Sequence, residues 1–153
     1  LDARLAGALM SIQSVKGVQI GDAYQQAASL GSNAQDEIIG LSSGHIERAS
    51  NHAGGIEGGI SNGSVLRVSA ALKPISTVPR ALRSVDLADG TAATALHQRS
   101  DTCAVVPAAV IAQAEVAMVL ADALLEKTGG DSLLEAKRNL AGYLEDIAER
   151  TNW

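Results

Sequence analysis

Phenylalanine is missing from the 153 residues, and aromatic side chains together make up 2%. The core must therefore be built from Ala, Val, Leu and Ile, each of which buries less area than a ring. Such a chain is expected to lean on a neighbouring segment or subunit to complete its interior. There is one cysteine, Cys103, which excludes an intramolecular disulfide and lacks the Cys or His neighbours of a zinc site. It leads into an apolar stretch and reads as a small buried residue, not a nucleophile. A reducing cytosol is the natural setting, so the expected localisation is cytoplasmic. Basic runs are absent too: 12 Lys and Arg stand against 17 Asp and Glu. Neutralising phosphates needs clustered cations, so no nucleic-acid partner is expected.

Long uninterrupted apolar runs are also lacking. Residues 104–125 come nearest, but Gln113, Glu115 and Asp122 break the run. An ionised side chain at bilayer depth costs roughly 3 kcal/mol, which favours a buried helix of a soluble protein and no membrane partner. His45, His52 and His97 have no metal-binding spacing and read as isolated. There is no Gly-x-Ser-x-Gly elbow, no phosphate loop ending in Gly-Lys-Ser/Thr and no dinucleotide fingerprint. The chain begins at Leu1 inside an amphipathic pattern, which suggests a start that is missing or processed.

What is present, 46% hydrophobic and 19% charged residues, suits one globular domain. Leu5, Leu9 and Ile12 recur at helical spacing over 2–14, with Asp2 placed to cap. Residues 15–20 alternate as a strand, 23–30 suit a helix closed by Gly31, and 31–45 read as a polar loop. Residues 64–72 form a strand with Leu66, Val68 and Ala70 on one face; the prolines at 74 and 79 forbid a helix after it. An extended segment over 78–87, a turn at Gly90 and a short strand over 94–98 follow. Two helices close the chain, 107–127 and 132–150, with Pro107 in the first turn of one, Gly129-Gly130 between them and Asp131-Ser132 capping the second. Helix, strands, then helices is an α+β order.

Three stretches carry candidate chemistry. Residues 50–63 hold five glycines among fourteen residues. Glycine permits positive φ and close approach of backbone to a ligand. A flexible linker has a similar composition, but its isoleucines and polar groups need not recur in such order. Lys73, Ser76 and Thr77 offer a cation and two hydroxyls beside a rigid proline, able to hold a phosphate; a solvated strand end reads the same way. Arg99-Ser100-Asp101 precedes the long helix, offering a guanidinium fork and a carboxylate, or simply a helix cap with an incidental ion pair.

Taken together, Ala8-Leu9-Met10-Ser11-Ile12-Gln13-Ser14-Val15-Lys16-Gly17, the glycine-rich Asn51-His52-Ala53-Gly54-Gly55-Ile56-Glu57-Gly58-Gly59-Ile60-Ser61-Asn62-Gly63, Lys73-Pro74-Ile75-Ser76-Thr77 and Arg99-Ser100-Asp101-Thr102-Cys103 resemble the C-terminal portion of chorismate synthase. That family carries out an anti-1,4-elimination of phosphate from 5-enolpyruvylshikimate 3-phosphate, giving chorismate for aromatic amino acid biosynthesis. The resemblance implies a requirement for reduced FMN, with NADP-linked flavin reduction either built in or supplied by a partner. It implies part of a β-α-β sandwich with long central helices and antiparallel sheet, assembled as a homotetramer. It implies FMN contacts at Gln13, Ser14, Gly58, Lys73, Pro74, Ile75, Ser76, Thr77 and Arg99, with Arg99 also close to substrate and Asp101 close to the flavin N5. The sequence departs from the family pattern in places. Gln35 stands where His is usual, Gln113 where Glu is usual, and Gly21-Asp22-Ala23 replaces Gly-Asp-Gly. The catalytic histidines and substrate-binding arginines of the family's N-terminal part are absent, so the expectation is that this fragment alone turns over nothing. A non-catalytic FMN- or phosphate-binding domain and an oligomerisation module are the competing readings.

Overall fold

The computed structural model describes residues 1–42, 45–76, 78–97 and 103–150. Helix α1 (Asp2–Ser11) leads into strand β1 (Val15–Ile20), then two short helices, α2 (Ala23–Ala27) and α3 (Gly31–Ala34). Strands β2 (Ile38–Ser42), β3 (His45–Arg48), β4 (Ile56–Glu57), β5 (Ile60–Ser61) and β6 (Val68–Leu72) follow. Strands β7 (Arg83–Val85) and β8 (Ala92–Thr94) precede the long helices α4 (Val105–Thr128) and α5 (Leu133–Arg150). This is an α+β fold, and all its described strand pairs are antiparallel: β1 with β6, β2 with β3, β4 with β5, β7 with β8.

Leu5 and Leu9 are the buried positions of α1, as their spacing requires. Asp2 does not cap this helix. It lies inside the first turn, and Leu1 is the N-cap residue, with no side-chain cap bond. At the other end Ser14 adopts φ 72°, rare for a residue with a Cβ, and the chain turns there into β1. Strand β1 then pairs along β6 from Val15↔Leu72 to Ile20↔Val68, with a register shift between Val15 and Gly17. On β6 the half-buried positions alternate with exposed ones, as a one-sided strand must.

Two expectations fail in the middle of the chain. Gly31 does not close a helix: α2 ends at Ala27, and Gly31 opens α3. Nor is 31–45 a loop. The apolar Ile38, Ile39 and Leu41 make a strand despite the surrounding glycines and serines, and β3 pairs against it from Ile38↔Arg48 to Ser42↔His45. The last short strand spans 92–94 rather than 94–98.

Gly129 (φ 61°) ends α4, as glycine does at such positions. At the start of α5, Ser132 Oγ accepts the Glu135 N–H at 3.2 Å, and the Glu135 carboxylate accepts the Asp131 N–H at 3.2 Å. This reciprocal pair is close to a capping box. Asn139 Nδ2 donates to Thr128 O at 2.9 Å and ties α5 back to α4. Arg4 clamps α1 to α4 through two 2.7 Å bonds to Glu126.

The core is thin. Its buried apolar residues are Leu5, Leu9, Val15, Ala34, Ile56, Ala108 and Ala136. Helix α4 was expected to be buried, yet only 6% of its most apolar 18-residue window is, and Ala108 is its one buried residue. By length and composition alone α4 is long and apolar enough to cross a membrane. Cys103, also expected to be buried, is exposed just before this helix. Both corrections have one cause: the face that would cover this end of α4 is not supplied by the described residues. An apolar groove of about 380 Å³ runs between Leu9, Val15, Val68, Ala108, Ala112 and Val116.

Candidate functional site

The glycine-rich segment is an ordered structure, and its glycines have two different duties. Gly58 (φ 59°) and Gly59 (φ 81°) form the two-residue connection between β4 and β5, where both central residues need positive φ. A Cβ on either would meet nothing within 4 Å. Gly54 and Gly55 instead pack backbone against backbone. A Cβ on Gly55 would lie 2.7 Å from Val65 O, and one on Gly54 would lie 2.8 Å from Arg67 O. Close approach fixes the base of the hairpin, and an open tip is left at Gly58-Gly59.

Two carboxylates hold that base. Asp36 accepts from Ser50 Oγ at 2.6 Å, His52 N at 2.7 Å and Ala53 N at 2.9 Å. Burial alone would raise its pKa, but these three donors together hold it below the ordinary carboxylate value. Asp22 bonds Arg67 Nη1 at 2.8 Å and His52 Nδ1 at 2.9 Å, and these two contacts hold its pKa low as well. His52 is therefore not isolated. Arg67 Nη2 donates to Asn51 O at 2.8 Å, while Asn51 accepts the Gly55 N–H and donates to Val65 O, both at 2.8 Å. The nine-tenths buried Arg48, at the end of β3, binds Glu57 at 2.6 Å, and its Nη1 is buried with no hydrogen-bond partner. Sequence reasoning missed Asp22, Asp36, Asn51 and Arg67. The one signal was the Gly-Asp at 21–22, singled out only because Ala23 follows it.

Gln13, Ser14 and the segment from Lys73 to Ser76 come together at one end of the β1–β6 ladder. Val15 pairs with Leu72, and the Lys73 N–H donates to Ser14 O at 2.8 Å. Gln13, Lys73, Pro74 and Ser76 are exposed, while Ser14 and Ile75 are half-buried. Gly58 lies elsewhere: its neighbour Gly59 accepts a 2.7 Å bond from the amino group of Leu1, at the opposite end of α1 from Gln13. A helix of ten residues is about 15 Å long, so the hairpin tip and the Ser14–Lys73 corner stand roughly that far apart. Thr77, Arg99 and Asp101 lie outside the described residues. Among the described residues no group of three His, Cys, Asp or Glu could hold a metal ion.

Residues 1–125 match the family model described as chorismate synthase. The chain belongs to the chorismate synthase family. It is 62% identical over 150 residues to a chorismate synthase of Beutenbergia cavernae, an alignment spanning 98% of this chain and 38% of that protein. It is 58% identical over 153 residues to a chorismate synthase of Corynebacterium aurimucosum, covering 100% of this chain and again 38% of the relative. A crystal structure of chorismate synthase superposes with a TM-score of 0.75 at 40% sequence identity, over 97% of this chain and 37% of that one. The chain therefore spans a little over a third of the length of the chorismate synthases it matches. The uncovered face of α4 fits that fact: a chorismate synthase has much more chain with which to cover it.

Proposed function

We propose that this chain is the C-terminal portion of a chorismate synthase, eliminating phosphate from 5-enolpyruvylshikimate 3-phosphate once the rest of the family fold is present. The observation that carries the reading is the meeting of Gln13-Ser14 with Lys73–Ser76 at one exposed corner. The two segments are 59 residues apart in sequence, from Ser14 to Lys73, and each belongs independently to the family resemblance.

The donors there fit a phosphate-bearing cofactor. Lys73 is an exposed cation, and Ser14 and Ser76 supply hydroxyls on a backbone stiffened by Pro74. Reduced FMN, when bound, supplies electron density as the C–O bond to phosphate breaks. Lys73, Ser76 and Thr77 anchor it, and Gln13 and Ser14 add polar contacts. The open tip at Gly58 lets backbone meet a flat surface without a side chain between. Arg99 pairs with anionic oxygen, and the Asp101 carboxylate takes up or relays the proton lost from the substrate ring as phosphate leaves. The assembled enzyme is a cytoplasmic homotetramer, with NADP-linked reduction supplying the reduced flavin. The isolated chain is inactive, because it lacks the catalytic histidines and the anion-binding arginines that the family carries outside the matched third.

The test is an Asp101→Asn substitution with these residues carried in a chorismate synthase of full family length. Turnover is expected to fall at least tenfold while FMN stays bound. Unchanged turnover would remove Asp101 from the mechanism. A protein of that length that binds no flavin would favour the oligomerisation reading instead.

A further inference from the structure

The two aspartates at the base of the glycine hairpin have no part in the chemistry above, yet the Asp36 carboxylate is bound by three donors and the Asp22 carboxylate by two. The Asp36 carboxylate gathers three donors, all within residues 50–53. Asp22 binds the same turn through the His52 ring, and its own N–H donates to His52 O at 2.7 Å. The turn runs directly into β4, and Asn62 N donates to Gly55 O at 3.0 Å, closing the hairpin at its base. Arg48 binds the hairpin through Glu57 of β4. A Cβ on Gly58 or Gly59 would meet nothing within 4 Å, and the tip is held by the 2.7 Å bond from the Leu1 amino group to Gly59 O together with what holds the base.

We infer that Asp36, seconded by Asp22, is a positioning residue for cofactor binding: it fixes where the Gly58-Gly59 tip presents its backbone to the flavin. This rests on the flavin reading above. The polarity of the site fits the role. Three donors converge on one carboxylate, and charge-assisted bonds of this kind hold geometry more tightly than neutral ones. Asn at position 36 would keep the shape but turn an amide toward one of the donors, setting donor against donor. The Ser14–Lys73 corner is held by separate bonds, so the two halves of the cofactor site can be perturbed one at a time.

The experiment is an amide NMR titration of this chain with FMN, carried to millimolar concentration so that weak binding is seen, with inorganic phosphate as a parallel probe. In the parent chain, FMN is expected to move the amide signals of Gly58 and Gly59 and those of Ser14, Lys73 and Ser76; phosphate should move only the second group. Because one FMN bridges both groups, Asp36→Asn is expected to weaken the FMN response about tenfold at both and to leave the phosphate response of Ser14, Lys73 and Ser76 within a factor of two. If neither group responds to FMN in the parent chain, the flavin reading itself fails. If both respond and Asp36→Asn changes neither, the positioning role is overturned while the flavin reading stands. Should Asp36→Asn lose its dispersed spectrum, Ser50→Ala, which removes one donor and keeps the charge, decides. A few-fold loss of FMN affinity with the phosphate response at Ser14, Lys73 and Ser76 unchanged supports the inference. An equal loss with both probes, or none with either, overturns it.

Discussion

Asp36 and Asp22 give the fold a signature in acid. Both carboxyls are held below the ordinary value of about 3.9 by the donors around them. A group whose pKa is depressed on folding contributes stability that is fully present above its unfolded value and is lost as pH falls through the folded one. The hairpin base is therefore predicted to be intact above about pH 4 and to loosen progressively below it. Protection of the His52 and Ala53 amides, taken relative to their intrinsic exchange rates at each pH, should fall over that window in the parent chain, whereas in Asp36→Asn it should be low already at neutral pH. A flat profile in the parent would contradict this. The glycines make a second residue-scale contrast. Gly58→Ala meets only the cost of positive φ, roughly 1 kcal/mol. Gly55→Ala adds crowding against Val65 O, about 1 to 3 kcal/mol more. Denaturant midpoints should fall in that order, and equal losses would mean that the close packing at Gly55 is unimportant.

The elements differ in how far the sequence revealed them. The alternation over 15–20 and the capping residues at 131–132 are local signals, and both elements stand where those signals put them. Strand β2 was hidden because its Gly and Ser neighbours look like a loop, and only pairing with β3, a long-range event, selects the strand. The carboxylate clamp was hidden for the same reason. Asp36 finds its donors 14 to 17 residues away and Asp22 finds His52 30 away, and no local pattern encodes such contacts. The corner of Ser14 and Lys73 was legible only as two separate motifs; their contact follows from the β1–β6 pairing. At this scale the cap of α5 is testable. Ser132→Ala removes the acceptor for the Glu135 N–H and should cost about 1 kcal/mol, read as a lower unfolding midpoint with the helical circular dichroism of the folded state retained. No shift in the midpoint would show that Glu135 alone serves that end.

On the scale of the whole molecule, the composition predicts an aromatic-poor core that leans on a neighbour, and α4 is the long apolar element left with little cover. A helix rich in Ala, Val and Leu with one buried residue does not bury enough area to be the centre of a stable fold. Its apolar face is predicted to gain cover from the roughly three-fifths of the family length that this chain does not span. Amides of 108–120 should exchange at least tenfold more slowly when that portion is added, and unchanged exchange would place the cover elsewhere.

The most direct test of the account is an assay for chorismate formed from 5-enolpyruvylshikimate 3-phosphate in the presence of reduced FMN. It is run on this chain alone and on the chain combined with the part of a chorismate synthase that it does not span. The account predicts no product from the chain alone and turnover from the combination. Product from the chain alone, or none from a folded combination that binds flavin, would contradict it.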